Sequence, residues 1–168
     1  MPRLHGKVAV VTGAAAGPKA ALGAIFATAL AAEGAKVVLA DTKDCASVAA
    51  EITATGGTAH AVLADVRDEK SIGAMIAEAE RQFGRLDILV NNAAIGSNIP
   101  PIAIEEIDPA LWDEFMTVNV RGTFLCVGAS FLVNDDPRPS SSIWMRSIGS
   151  GKTIVLFFSA AISVSVCR

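Results

Sequence analysis

Three groups of residues in this chain have the types and spacing to do chemistry. The first lies in the segment 7–41, KVAVVTGAAAGPKAALGAIFATALAAEGAKVVLAD. Gly13 and Gly17 lack the side chains that would keep an anion away from the start of the helix that follows. A helix N-terminus carries unpaired N–H groups and a partial positive charge, so glycines at that join make a phosphate site. Asp41 ends the unit, where an acid can accept hydrogen bonds from a ribose diol. The second group is Asp65-Val66. The third is Asn91-Asn92-Ala93-Ala94, in which the amides can fix neighbouring backbone and the small residues leave room for a sugar.

The elements needed to position these groups are legible in the pattern. Residues 7–12 are an apolar, β-branched run ending at Gly13, which reads as a strand buried on both faces. Residues 20–33 are rich in alanine and leucine and close at Gly34, a helix with its C′ glycine, and 36–40 form a second buried strand. Asp44 caps a helix through Thr55, with Val48 and Ile52 on its inner face and Gly56-Gly57 as its stop. A third strand at 58–64 delivers Asp65-Val66 to its carboxyl end, where open α/β sheets bind ligands. Asp68 caps a helix over 69–83 whose core stripe is Ile72, Met75, Ile76, Ala79 and Phe83, ended by Gly84. A fourth strand at 86–90 carries the asparagine group, with Asp87 as its one polar interruption. A proline-containing loop over 97–106 leads to Asp108-Pro109, an N-cap with proline at N1. The helix beyond places Leu111, Phe115, Val118, Gly122 and Leu125 on one stripe, with Asn119 beside it.

The sequence at these points resembles the short-chain dehydrogenase/reductase family, whose fingerprint is T-G-x-x-x-G-x-G. Thr12-Gly13-Ala14-Ala15-Ala16-Gly17 matches, but Pro18-Lys19 stands where the family has an aliphatic residue and glycine. Proline supplies no N–H, and Lys19 adds bulk where none is wanted. Both oddities vanish if the loop is one helical turn longer and Leu22-Gly23 takes the usual place at the helix start. Gly23 also lies closer to the roughly twenty-residue spacing expected before the acid at Asp41. The expected phosphate-loop contacts are therefore Gly13, Ala15, Gly17 and Gly23, with Lys19 an extra contact from the longer loop. By the same resemblance Asp65 and Val66 touch the adenine ring, the bland alternative for Asp65 being a helix cap, a role Asp68 already fills. Asn92, Ala93 and Ala94 resemble the family's N-N-A-G next to a cofactor ribose, and Ile95 faces the nicotinamide end. Val118-Asn119-Val120-Arg121-Gly122 resembles the segment whose asparagine organises a water in the family's proton relay; a satisfied core amide is the structural alternative.

The resemblance covers residues 1–127 and falters over 128–168. Residues 134–142, NDDPRPSSS, break a helix where the family continues a long one that commonly forms its dimer face. It resumes faintly at 149–155, a glycine turn into a fifth strand, and that alignment puts Ser159 in the place of the catalytic serine. Gly151-Lys152-Thr153 imitates a phosphate-binding P-loop, but Arg146 stands where the first glycine is required and a strand follows instead of a helix. The chain contains no tyrosine. The family transfers its proton through a tyrosine tuned by a lysine one turn later, on a helix that would begin about where this chain stops, at Arg168. Ser159 has no neighbouring base to replace them, so the expectation is a chain that binds cofactor but does not catalyse alone. The apolar run 154–158 and Ile162, Val164 and Val166 would then expose a strand edge or face, a hazard that a partner, or the missing remainder of a longer protein, would remove.

Composition sets the outer limits. The 168 residues are one domain's worth, 52% apolar and 18% charged, a buried-sheet composition. The net charge of −3 comes without any basic stripe interleaved with aromatics, so no nucleic acid is expected. Cys45, Cys126 and Cys167 are odd in number and far apart, which suits reduced thiols in a cytoplasmic protein and no metal site. No signal sequence or membrane span is legible. The expected fold is a single Rossmann-like α/β domain, a doubly wound, mostly parallel sheet of about five strands, incomplete at its C-terminal end. The expected function is that of an NAD-dependent oxidoreductase moving hydride between cofactor and an alcohol or carbonyl. Asp41 would repel a 2′-phosphate and so favours NAD over NADP, while Lys19 and Lys43 keep NADP open. The alternative is a non-catalytic nucleotide-binding or pairing subunit, and a homo-oligomer is compatible with either.

Overall fold

The computed structural model describes residues 2–17, 22–96, 99–132, 153–158 and 162–167. In chain order it contains β1 (Val8–Thr12), α1 (Leu22–Ala32), β2 (Lys36–Asp41), α2 (Ala46–Ala54), β3 (Thr58–Leu63), α3 (Glu69–Phe83) and β4 (Ile88–Asn91). A 3-10 turn (Ile104–Glu106), α4 (Pro109–Phe115), a π-helical stretch (Met116–Gly122), α5 (Thr123–Leu132), β5 (Thr153–Phe158) and β6 (Ile162–Cys167) complete it.

The sheet order is β3-β2-β1-β4-β6-β5. The first four strands are parallel, with Val10 level with Val38 on one side and Leu89 on the other. Such strands are covered on both faces, and β1 accordingly has all five residues buried. Ala9 and Val11 point into a core layer with Ala27 and Ala31 of α1 and Val48 and Ile52 of α2. Val10 and Leu89 point the other way, into a layer with Ile72, Met75 and Ile76 of α3, Val118 and Cys126. Helices on both faces of a 3-2-1-4 sheet make this a doubly wound fold, and the reversal of strand order between β1 and β4 opens a crevice at their carboxyl ends.

Local signals account for the helix ends. Asp68 accepts from the backbone N–H groups of Lys70 and Ser71 at 3.1 and 3.2 Å, and Gly84 closes α3 in the left-handed region at φ +79°. Asp44 stands one residue outside the cap position, which is Cys45, but still accepts from Ala46 N–H at 2.8 Å. Asp87 does not interrupt β4; it precedes the strand, with its side chain only 2% exposed. There it gathers Val8 N–H at 2.9 Å, Lys7 Nζ at 3.1 Å and the Arg85 fork, tying the starts of β1 and β4 together.

The later chain adds two features that the sequence pattern did not specify. β6 lies beside β4, antiparallel to both β4 and β5. The reason is connection length, because three residues separate β5 from β6 while a parallel crossover needs about a dozen or more. Among the described residues the sheet has six strands. The helix after Pro109 is also not regular, since it widens to π geometry over Met116–Gly122 before resuming as α5. The segment 134–142 lies outside the described residues.

Candidate cofactor cleft

The carboxyl ends of β1 to β4 converge on an open cleft lined by Thr12, Gly13, Ala40, Asp41, Thr42, Ala64, Asp65, Val66, Arg67, Ala93, Ala94, Ile95, Glu114 and Val118. Its volume, about 190 Å³, is below the roughly 300–1,000 Å³ that enclose a drug-sized ligand.

Close packing shapes the wall beside β1. Gly13 has φ +66°, and a Cβ there would sit 2.8 Å from the Ala93 Cα and 2.9 Å from the Asn92 amide nitrogen, so only glycine fits. A Cβ on Gly23 would run into the Gly13 carbonyl oxygen and lie 2.7 Å from the same Asn92 nitrogen. Gly23 thus stands at the start of α1, hard against the first glycine of the loop. Gly17 is exposed, and Lys19 lies outside the described residues.

Asn92 braces this contact. Its Nδ2 donates to the carbonyls of Thr12 at 3.0 Å and Gly13 at 2.9 Å. Thr12, quoted above only as part of a fingerprint, is the residue that sequence reasoning passed over. Its buried hydroxyl donates to the Val90 carbonyl at 3.3 Å and accepts from the N–H groups of Asn92 and Ala93, each at 3.1 Å. One hydroxyl carries one donor and two acceptor sites, so Thr12 is fully used in fixing the two strand ends. A threonine closing a buried strand immediately before a glycine was the available signal.

Asp41 ends β2 with both carboxylate oxygens engaged. Oδ2 accepts from Ala15 N–H at 3.1 Å; Oδ1 accepts from Lys43 N–H at 3.0 Å and from the Thr42 hydroxyl at 3.3 Å. Ala15 therefore meets Asp41 through its backbone, and the acid orients the glycine loop as well as facing the cleft. Asp65, beyond β3, holds Arg67: Nε lies 3.0 Å from each carboxylate oxygen, Nη2 2.6 Å from Oδ2, and Arg67 N–H donates to Oδ1 at 2.9 Å. The Arg67 guanidinium holds the Asp65 carboxyl below the usual carboxylate range, against the upward push of burial. Val66 is buried against Gly122, where a Cβ would come within 2.9 Å of its methyl.

Asn119 lies in the π-helical stretch, next to the cleft residue Val118. Its Oδ1 accepts from Ile95 N–H at 2.9 Å and its Nδ2 donates to the Ile95 carbonyl at 3.1 Å, a reciprocal clasp that sets the chain leaving β4. Ser159 lies outside the described residues, as do Gly151 and Lys152 of the P-loop-like run; Thr153–Phe158, after it, is strand. Among the described residues no group of three or more His, Cys, Asp or Glu could hold a metal ion, and no helix is long and apolar enough to cross a membrane.

A glycine turn packed on the start of α1, an acid at the next strand end and small residues after the fourth strand are shared with known proteins. The family model described as short chain dehydrogenase matches residues 7–138. The chain belongs to the short-chain dehydrogenase family. An uncharacterized oxidoreductase of Methylorubrum extorquens is 44% identical over 167 residues, 89% of this chain and 64% of that protein. Galactitol 2-dehydrogenase of Agrobacterium fabrum is 41% identical over 127 residues, 76% of this chain and 46% of that enzyme. Among solved structures, a short chain dehydrogenase from Mycobacterium smegmatis superposes with a TM-score of 0.71 at 29% identity, covering 79% of this chain and 54% of that one. The chain thus spans about half to two thirds of the length of these short-chain dehydrogenases.

Proposed function

We propose that this chain binds NAD in the cleft and represents the cofactor half of an oxidoreductase that exchanges hydride between NAD and an alcohol or carbonyl. The single observation that carries this reading is the cleft itself, with Gly13 and Gly23 packed at the start of α1 and Asp41 at the end of β2. A side chain at either glycine would collide with the Gly13 carbonyl, Asn92 or Ala93 and so displace the wall against which a pyrophosphate would lie. Gly13, Ala15, Gly17, Lys19 and Gly23 would surround the pyrophosphate, Asp41 the adenosine ribose, Asp65 and Val66 the base, and Asn92, Ala93 and Ala94 the second ribose. Bound nicotinamide would supply the hydride site. In this reading Asn119 fixes the Ile95 backbone beside it and Ser159 belongs to the proton path.

Asp41 favours NAD over NADP, because a fixed carboxylate repels a 2′-phosphate, even with Lys43 nearby. Calorimetric titration of the intact chain should give tighter binding of NAD than of NADP, and Asp41→Ser should narrow the gap. Tighter NADP binding would overturn the preference, and indifference to both nucleotides would overturn the function.

One observation favours a second reading, binding without turnover: the 168 residues hold no tyrosine. On that reading NAD binds while alcohol-dependent NAD reduction stays at the level of the buffer, and measurable oxidation by the purified chain would exclude it. The galactitol 2-dehydrogenase relative makes a small alcohol the first substrate class to try. Trp112, Met116, Val120 and Phe124 are exposed at four-residue spacing, an apolar stripe that supports pairing of two copies. Free, buried Cys45 and Cys126 support a reducing, cytoplasmic setting.

A further inference from the structure

We propose that Arg67 is a positioning residue that sets base selectivity at the adenine end of the cleft, by holding Asp65 as a fixed, ionised acceptor. The inference rests on the cofactor reading above. With pyrophosphate at the start of α1 and a ribose at the end of β2, the strand order β3-β2-β1-β4 carries the base toward the end of β3, where Asp65 stands. Arg67 engages Asp65 through its backbone N–H, Nε and Nη2, so the planar fork leaves the carboxylate one orientation. Arg67 is itself anchored by a second element. Arg121, in the π-helical stretch, donates from Nη1 to the Arg67 carbonyl at 3.1 Å and from Nη2 to Glu69 at 2.9 Å. The turn carrying Asp65 is tied down on the near side too, because the Ser71 hydroxyl accepts from Asp65 N–H at 2.9 Å.

An ionised carboxylate accepts hydrogen bonds and cannot donate them. It therefore attracts the exocyclic amino group of adenine and repels the carbonyl that replaces it in hypoxanthine. The experiment is a calorimetric titration of the intact chain and of its Arg67→Ala and Arg67→Lys variants with NAD and with nicotinamide hypoxanthine dinucleotide. The wild-type chain should prefer NAD by about tenfold, the scale of one charge-assisted hydrogen bond. Arg67→Ala should bring that ratio close to one, chiefly by weakening NAD, and Arg67→Lys, which keeps the charge but not the fork, should fall between. An unchanged ratio in Arg67→Ala, an equal loss for both nucleotides, or a rise in NAD affinity once Asp65 is released would each overturn the assignment while leaving NAD binding intact. A wild-type chain that binds neither nucleotide would instead refute the cofactor reading, and this inference with it.

Discussion

Gly23→Ala tests the cleft where two effects of opposite sign meet. Alanine is favoured over glycine inside a helix by about 1 kcal/mol, so propensity alone predicts a more stable chain. At Gly23 the new Cβ would collide with the Gly13 carbonyl oxygen and crowd the Asn92 amide at 2.7 Å. Neither neighbour can yield cheaply: one is backbone, and the other is held by two carbonyls. Overpacking of this kind costs ~1–3 kcal/mol, and because backbone must move we expect the upper half of that range, leaving a net loss of about 1–2 kcal/mol. The internal control is Gly73→Ala, in the exposed face of α3, where nothing lies within 4 Å of the added Cβ. That change should stabilise by about 0.5–1 kcal/mol. Urea unfolding of the three proteins at pH 7, with m-values compared, gives both numbers directly. NAD titration adds a second readout, with Gly23→Ala weakened and Gly73→Ala unchanged. If Gly23→Ala stabilises as Gly73→Ala does, the close approach of α1 to Gly13 is wrong.

Thr12→Val removes the hydroxyl that serves Val90, Asn92 and Ala93 and should cost about 2–4 kcal/mol in urea unfolding; Thr12→Ser should recover most of it, and equal losses in the two would refute the brace. At Asp87, burial pushes the carboxyl up, but bonds from Arg85, Val8 N–H and Lys7 together bring it below its ordinary value. A depressed folded-state value means a stabilisation present above the unfolded-state value of about 3.9 and lost as pH falls through the folded one. Asp87→Asn should therefore cost ~2 kcal/mol at neutral pH, with the difference from wild type shrinking below about pH 4; a gap that widens in acid would contradict this. Burial pushes the thiols of Cys45 and Cys126 up to about 12, so iodoacetamide at pH 8 should leave both unmodified until denaturant is added, as peptide mapping will show.

Much of this chain could be read before its coordinates, for reasons that differ along its length. α3 was legible to the residue because its signals are local: Asp68 at the cap, an apolar stripe at 3.6-residue spacing and Gly84 at the stop. β1 and β2 were legible because strands buried on both faces must be continuous apolar runs, whereas β3, at the sheet edge, is only partly buried. The placement of Gly23 at the helix start came from the family resemblance together with its spacing to Asp41, and α1 does begin at Leu22.

What stayed hidden depends on partners distant in sequence. The role of Thr12 requires β4, 78 or more residues away; that of Asp87 requires β1, 79 residues back; and the Arg121 link to Arg67 spans 54. Periodicity describes one element against an unspecified core and is blind to such pairs. The π-helical stretch was invisible for the same reason, since the tie of Asn119 to Ile95 and the packing of Gly122 on Val66 are made to other parts of the fold. The sequence alone determined which segments become strands and helices, and that a glycine loop and an acid share one end of the sheet, because backbone preference and burial pattern are local. Only the tertiary structure decided that β6 and not β5 lies beside β4, that Asp65 is clasped by Arg67, and that Thr12 joins the two strands flanking the cleft. Those outcomes turn on which groups meet across space, and no short-range pattern encodes them.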